Sequence, residues 1–132
     1  MHNIGLDIIE IARIEATMER WGERFLRRIY TEEELHISRS RAPALAVRFA
    51  AKEAVMKALG TGTKGVGWRE IEVLSNDDGK PLVYLHGRAQ RKAEELGLGE
   101  LAISLSHSRE YAIASVIGGM LEGRNNGGDE GA

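Results

Sequence analysis

The sequence predicts an α+β fold in which a small antiparallel sheet packs on one long central helix. Three observations predict it. An alanine-rich stretch between Pro43 and Gly60 has the composition of a helix that crosses a small domain. Apolar, β-type segments open the chain at Ile4–Ile8 and close it at Leu101–His107 and Tyr111–Ile117. Short helical patterns and one further strand pair fill the interval between, without the strict alternation of strand and helix that a parallel sheet needs.

The central helix has its own punctuation. Pro43 suits a first helical turn, where a missing N–H loses nothing, and Gly60 suits the left-handed position just past the end. Ala44, Ala46, Ala50, Ala51, Ala54 and Ala58 lie between them, and Leu45, Phe49, Met56 and Leu59 recur as one apolar face. Such a helix is roughly 27 Å long, about the width of a small domain. Glu53 and Lys57 are four apart and share a face with Ala46 and Ala50; Arg48 and Lys52 lie further round. The plain expectation for Glu53 and Lys57 is a surface ion pair; the alternative is a ligand site above a floor of methyl groups.

The other elements follow in order. Asp7 interrupts the first strand, and a carboxylate in an apolar run needs a partner or a metal unless it caps a helix starting near Ile9. Ile11–Trp21 is amphipathic through Ile11, Ile14 and Met18, and Glu23–Ile29 continues helical. Thr31 with Glu34 is a capping box, and the helix it starts is expected to end near Ser40, before Pro43. Gly60–Gly67 reads as a glycine-rich loop without Walker spacing. Glu70–Ser75 and Pro81–His86 are strands around an Asn76–Gly79 turn, Gly87–Leu96 is a helix closed by Gly97, and Ser108-Arg109-Glu110 turns the final hairpin. Residues 1–118 are expected to form one domain and 119–132 a disordered tail rich in glycine and acid.

Composition narrows the function. The formal charge is −2, and Glu122, Asp129 and Glu130 against Arg124 account for it, so the body is neutral and no nucleic-acid partner is expected. No run approaches a membrane span, no charged-then-apolar leader precedes a cleavage site, and cysteine is absent, which together fit a cytoplasmic protein that needs no membrane. Charge is uneven: Arg13, Arg20, Arg24, Arg27 and Arg28 precede Glu32, Glu33 and Glu34, as a solvated face or as a patch that steers an acidic partner. The four histidines have no zinc spacing, and no G-x-S-x-G elbow occurs. Asp7 and Glu53 are hard carboxylates of the kind magnesium uses with substrate phosphate, while Arg48, Lys57 and His107 supply groups for an anion.

Three segments carry a family resemblance: I-G-L-D-I-I-E-I-A-R-I at Ile4–Ile14, R-F-A-A-K-E-A-V-M-K-A-L-G-T-G at Arg48–Gly62, and S-L-S-H with Y-A-I-A-S-V-I at Ser104–Ile117. The chain resembles the holo-acyl-carrier-protein synthases, the short phosphopantetheinyl transferases, from about Ile4 to Ile117. Phe25–Glu34 and Gly79–Gly87 fit the same pattern. Asn3, Phe49 and Ser108 depart from it, where a glycine, a tryptophan and, in some members, an acid are usual.

The resemblance implies a 4′-phosphopantetheinyl transferase fold and transfer of 4′-phosphopantetheine from coenzyme A to a serine of an acyl carrier protein, leaving adenosine 3′,5′-bisphosphate, in support of fatty acid biosynthesis. By this similarity Asp7 and Glu53 would hold Mg2+, and Glu53 or a metal-bound water would remove the serine proton. Arg48, Lys57 and His107 would hold coenzyme A phosphates, Ser106 would be a further coenzyme A contact, and Gly79, Lys80 and Pro81 would form the loop beside adenine. Arg13 would meet the carrier, with Arg20 and Arg24 added by charge and spacing. A homotrimer with sites between subunits is also implied. A non-catalytic carrier-binding protein and an unrelated magnesium-dependent phosphohydrolase are the alternatives; retention of both carboxylates disfavours the first, and a requirement for carrier protein separates the second.

Overall fold

The structure, a computed structural model, describes residues 2–121. Strand β1 (His2–Glu10) leads into α1 (Ile11–Trp21), α2 (Glu23–Ile29), α3 (Glu32–Ser38) and the long α4 (Ala42–Leu59). A helical turn α5 (Gly62–Gly65) and a 3₁₀ turn (Trp68–Glu70) precede β2 (Ile71–Ser75) and β3 (Pro81–Leu85), then α6 (Gly87–Glu95), β4 (Leu98–His107) and β5 (Tyr111–Met120). The strands form a three-stranded antiparallel sheet ordered β1-β5-β4 and a separate β2–β3 ribbon. No helix among the described residues is long and apolar enough to cross a membrane.

The core lies between the three-stranded sheet and α4. Ala46, Ala50, Ala54 and Ala58 of the helix and Ala112, Ala114 and Val116 of β5 are all buried. Small side chains on both layers let helix and sheet approach closely, and β1 approaches closest. A Cβ on Gly5 would stand 1.8 Å from the Ala54 carbonyl oxygen, so only glycine fits there. Asn3 Nδ2 donates to Ala58 O at 2.9 Å one repeat earlier. Strand alternation then fixes the rest of β1: Asn3, Gly5, Asp7 and Ile9 face α4. Ile4, Leu6 and Ile8 turn the other way and are 66%, 59% and 58% exposed.

The expected helix ends hold where their chemistry is local. Thr31 and Glu34 form the capping box, and Gly60 takes the left-handed C-cap of α4. Asp7 caps nothing: α1 begins four residues later, with Glu10 in the cap position. The α3 helix stops at Ser38, because Arg39 and Ser40 adopt left-handed backbone angles with φ 53 and 51. Part of the Gly60–Gly67 loop is the helical turn α5.

The boundary placed at residue 118 is corrected by β5. That strand continues through Gly118 and Gly119 to Met120, pairing His2 with Gly119 and Leu98 with Met120. The glycines that read as the start of a tail are close-approach positions. A Cβ on Gly118 would stand 2.8 Å from a Leu101 methyl group. The remainder of the expected tail, residues 122–132, lies outside the described residues.

Two outcomes follow from this packing. Gly5→Ala forces β1 off α4 and is expected to lower stability by more than about 3 kcal/mol in denaturant titration. A chain ending at Ile117 loses the last pairs of both β5 ladders and is expected to melt several degrees, about 4–8 °C per kcal/mol, below the full chain.

Candidate active site

The Gly5 contact sets Asp7 beside α4 at the level of Glu53 and Lys57. Lys57 Nζ donates to Asp7 Oδ1 at 3.0 Å and to Leu6 O at 2.9 Å. The four-residue pair expected on the helix surface is therefore not the one formed, since Lys57 reaches across to β1. Its own side chain is 57% exposed, so the ion pair contributes little stability and leaves the ammonium free for a ligand.

Glu53 is hydrogen-bonded to Asp7, and its carboxyl is raised to about 7. Burial is the largest cause, followed by the Asp7 charge and the hydrogen bond, with Lys57 and Arg13 pulling the other way. Two carboxyl groups this close together are a site for a cation. Among the described residues no group of three or more His, Cys, Asp or Glu gathers as a metal cage. Two carboxylates with room for water and phosphate oxygens suit magnesium rather than zinc. Arg13, one helix away on α1, acts on this same carboxyl, so the predicted carrier contact borders the pair.

A second cluster forms on the other flank of α4. Arg48 is buried, with Nε donating to Val73 O and Nη1 to Ala44 O, both at 3.1 Å. Two cavities meet at this side chain. One, of about 290 Å³, is lined by Arg48, Gly79, Pro81 and Ser104 among others. The second, of about 410 Å³, is lined by Arg41, Pro43, Arg48 and His107. The strand-end His107 thus lines one cavity with Arg48, and Gly79 and Pro81 line the other, while Lys57, grouped with them in the sequence, lines neither. Gly79 has φ 83 in a turn where Asn76 Oδ1 accepts from Asp78 N and Lys80 N, which holds the tip of the ribbon. Lys80 lines neither cavity. Ser106 lines neither as well; it pairs with Ile113 on the exposed side of the sheet.

Arg48 and Lys57 lie about 180° apart around α4, and Arg48 and Glu53 about 140°. The carboxylate pair and the Arg48–His107 cluster therefore occupy opposite flanks of one helix. A third feature lies against α1 and α2: a groove of about 550 Å³ with Trp21, Phe25, Phe49 and Trp68 on its floor and Arg24 and Arg28 on its rim. Phe49 stacks on Trp68 with ring centroids 4.8 Å apart. Arg20 lies over the Trp21 ring, 5.1 Å from its centroid.

Three features escaped the sequence. Arg41 joins the His107 cavity because Arg39 and Ser40 reverse the chain before it, and no motif marks such a reversal. The Glu34–Lys52 pair is buried, although the sequence marks Glu34 only as a cap and a surface charge and gives Lys52 no partner. The apolar face of Ile4, Leu6 and Ile8 was visible as a strand but not as an uncovered one, since alternation does not say which side is covered.

Comparison with known proteins identifies the family. Residues 3–116 match the model of the 4′-phosphopantetheinyl transferase superfamily. The chain is 53% identical over 121 residues to a holo-[acyl-carrier-protein] synthase of Herpetosiphon aurantiacus, covering 86% of this chain and 95% of that one. It is 55% identical over 113 residues to the protein of that name from Dehalococcoides mccartyi, covering 86% and 94%. The crystal structure of the Helicobacter pylori holo-[acyl-carrier-protein] synthase in complex with coenzyme A superposes with a TM-score of 0.80 at 32% identity, covering 88% of this chain and 99% of that one.

The raised Glu53 carboxyl carries a pH signature. Its folded value of about 7 exceeds the ordinary 4.5, so its contribution to stability is complete below 4.5 and is lost as pH rises through 7. Glu53→Gln is accordingly expected to melt at a higher temperature than the parent at pH 8 without divalent metal, and to lose that advantage near pH 4.5. Melting curves at the two pH values check it; an advantage that does not change with pH contradicts it.

Proposed function

The chain belongs to the 4′-phosphopantetheinyl transferase superfamily, and we propose that it is a magnesium-dependent holo-[acyl-carrier-protein] synthase. It moves 4′-phosphopantetheine from coenzyme A to a serine of an apo acyl carrier protein, serving fatty acid biosynthesis, and releases adenosine 3′,5′-bisphosphate. The observation that carries this reading is the Asp7–Glu53 pair, joined by Lys57 and bordered by Arg13. It sets a cation site and a phosphate-binding ammonium where a basic surface meets the central helix.

Each residue then has a task. Asp7 and Glu53 would hold the magnesium ion, which when bound neutralises charge on the diphosphate. Lys57, free on its solvent side, binds a diphosphate oxygen. Arg41, Arg48 and His107 suit the remaining phosphate, and Gly79–Pro81 bounds the nucleoside end of the cavity beside them. The serine oxygen attacks the phosphorus that bears pantetheine. The bond from that phosphorus to the bridging oxygen breaks, and the oxygen leaves with the adenosine bisphosphate. Glu53, beside the metal site, is this chain's own group suited to take the serine proton.

Arg13, Arg20 and Arg24 suit an acidic carrier, and the aromatic groove beside Arg24 and Arg28 offers apolar area for it. A homotrimer is part of the proposal. Opposite flanks of α4 carry half of the chemistry each, and the uncovered Ile4, Leu6, Ile8, Ile113 and Ile117 face gives copies a surface to share. A cysteine-free chain fits a reducing cytoplasm.

The test is the mass of an apo fatty-acid carrier after incubation with coenzyme A, Mg2+ and the protein. The reading predicts addition of one phosphopantetheine; phosphate ester cleavage without carrier would replace it with a hydrolase. Asp7→Ala and Glu53→Ala are expected to slow transfer on the order of a hundredfold or more while remaining folded. Arg13→Glu is expected to raise the KM for carrier about tenfold, with that for coenzyme A unchanged, and the difference should shrink as salt screens the charges. Carrier kinetics that ignore both the substitution and salt would remove Arg13 from the interface.

A further inference from the structure

Two fully buried charged side chains take no part in the chemistry above. Glu34 and Lys52 are each 0% exposed and meet at 2.8 Å. A buried pair of this kind gives little net stability against an apolar replacement, so its partners say more than its charge.

Those partners lie along one edge of β2. His86 N–H donates to Glu70 O, and Asn76 N–H donates to Lys80 O, so the even-numbered residues of this stretch face β3. The odd-numbered residues present N–H and C=O to the opposite edge, where no strand among the described residues lies. Side chains occupy it instead. Lys52 Nζ donates to Ile71 O, and to Trp68 O at 3.0 Å. Glu34 Oε2 accepts from Val73 N at 2.8 Å, and Arg48 Nε donates to Val73 O. Glu34 Oε1 also accepts from Thr31 N at 2.9 Å, which anchors the arrangement to the start of α3.

We propose that Glu34 and Lys52, with Arg48, replace a missing strand along the inner edge of β2, and so act as positioning residues that set the β2–β3 ribbon for coenzyme A. This rests on reading the Arg48, Gly79 and Pro81 cavity as part of the coenzyme A site. The ribbon is held to α4 at Ile71 and Val73, and its far end carries Gly79 and Pro81 against Arg48. Besides the packing of Ile71 and Val73 in the core, these bonds are what fixes the inner edge of the ribbon, so its tip can shift against Arg48 when they go. The role is steric and geometric, since neither buried side chain reaches the reacting atoms.

Glu34→Gln is the selective probe. Glutamine has nearly the same shape, yet one end of its amide is a donor. Whichever way it turns, that donor meets Val73 N–H, or meets Thr31 N–H and Lys52. Lys52→Met removes the ammonium at similar length and leaves Ile71 O unpaired. Calorimetry should show coenzyme A binding weakened at least about tenfold in both variants. At saturating coenzyme A, kcat should stay within about threefold of the parent, because binding rather than chemistry is disturbed. Variants that melt cooperatively and bind coenzyme A as the parent does would overturn the inference, leaving the pair a packing feature. A parent that binds coenzyme A but transfers nothing would defeat the functional reading alone, since the binding comparison still stands. Should neither variant fold, amide exchange in the parent decides. Val73 N–H should exchange as slowly as the core if Glu34 holds it; exchange at the rate of an open edge strand would refute the arrangement.

Discussion

The closeness of β1 to α4 governs this molecule. At Gly5 the strand backbone lies against the Ala54 carbonyl with no room for a methyl group. That contact brings Asp7 within hydrogen-bonding distance of groups on the helix, although the two segments are some fifty residues apart in the chain. The alanines of α4 and β5 serve the same end, because larger side chains on either layer would separate strand from helix. The carboxylate pair is thus a product of packing. Its cost appears in the raised Glu53 carboxyl, which two acids buried side by side require and which a bound cation would relieve.

One helix serves several neighbours at once. The flank of α4 facing β1 carries Glu53 and Lys57, while the flank facing β2 carries Arg48 and Lys52. Each flank combines a positive group with backbone carbonyls that it satisfies. On the β1 side Lys57 meets the Leu6 carbonyl and remains half in solvent, so it can bind again. On the β2 side Lys52 is sealed, and its three partners exhaust it. Lysines five residues apart on one helix therefore have opposite characters: the exposed one suits chemistry, the enclosed one architecture.

Much of this was legible in the sequence because it is local. The Thr31–Glu34 capping box, the Pro43 and Gly60 ends of α4, and the alternation of β1 are short-range patterns, and the structure reproduces them. Asp7, Glu53 and Lys57 were nameable together through family resemblance, and the structure brings them side by side. What stayed hidden depends on three-dimensional placement. Lys52 sits next to Glu53 in sequence, but only the position of β2 decides that one is enclosed and the other lines the site. Arg41 needed the left-handed pair Arg39–Ser40, which no propensity favours. Gly118 and Gly119 read as chain breakers because composition cannot separate a flexible glycine from one demanded by a close neighbour.

The division of α4 into two flanks makes the account vulnerable in a specific way. A single copy offers the carboxylates on one side and the Arg41, Arg48 and His107 cluster on the other, so in the proposed assembly a complete site takes one flank from each of two copies. Subunit complementation measures this directly. Glu53→Ala and an Arg41→Ala/His107→Ala double variant, each of low activity alone, are dissociated, mixed in equal amounts and reassembled. Random exchange restores both halves in about a quarter of the sites, so the mixture should recover about that share of the parent's transfer rate. A mixture no more active than its two components would place every group in a single-chain site and contradict the account.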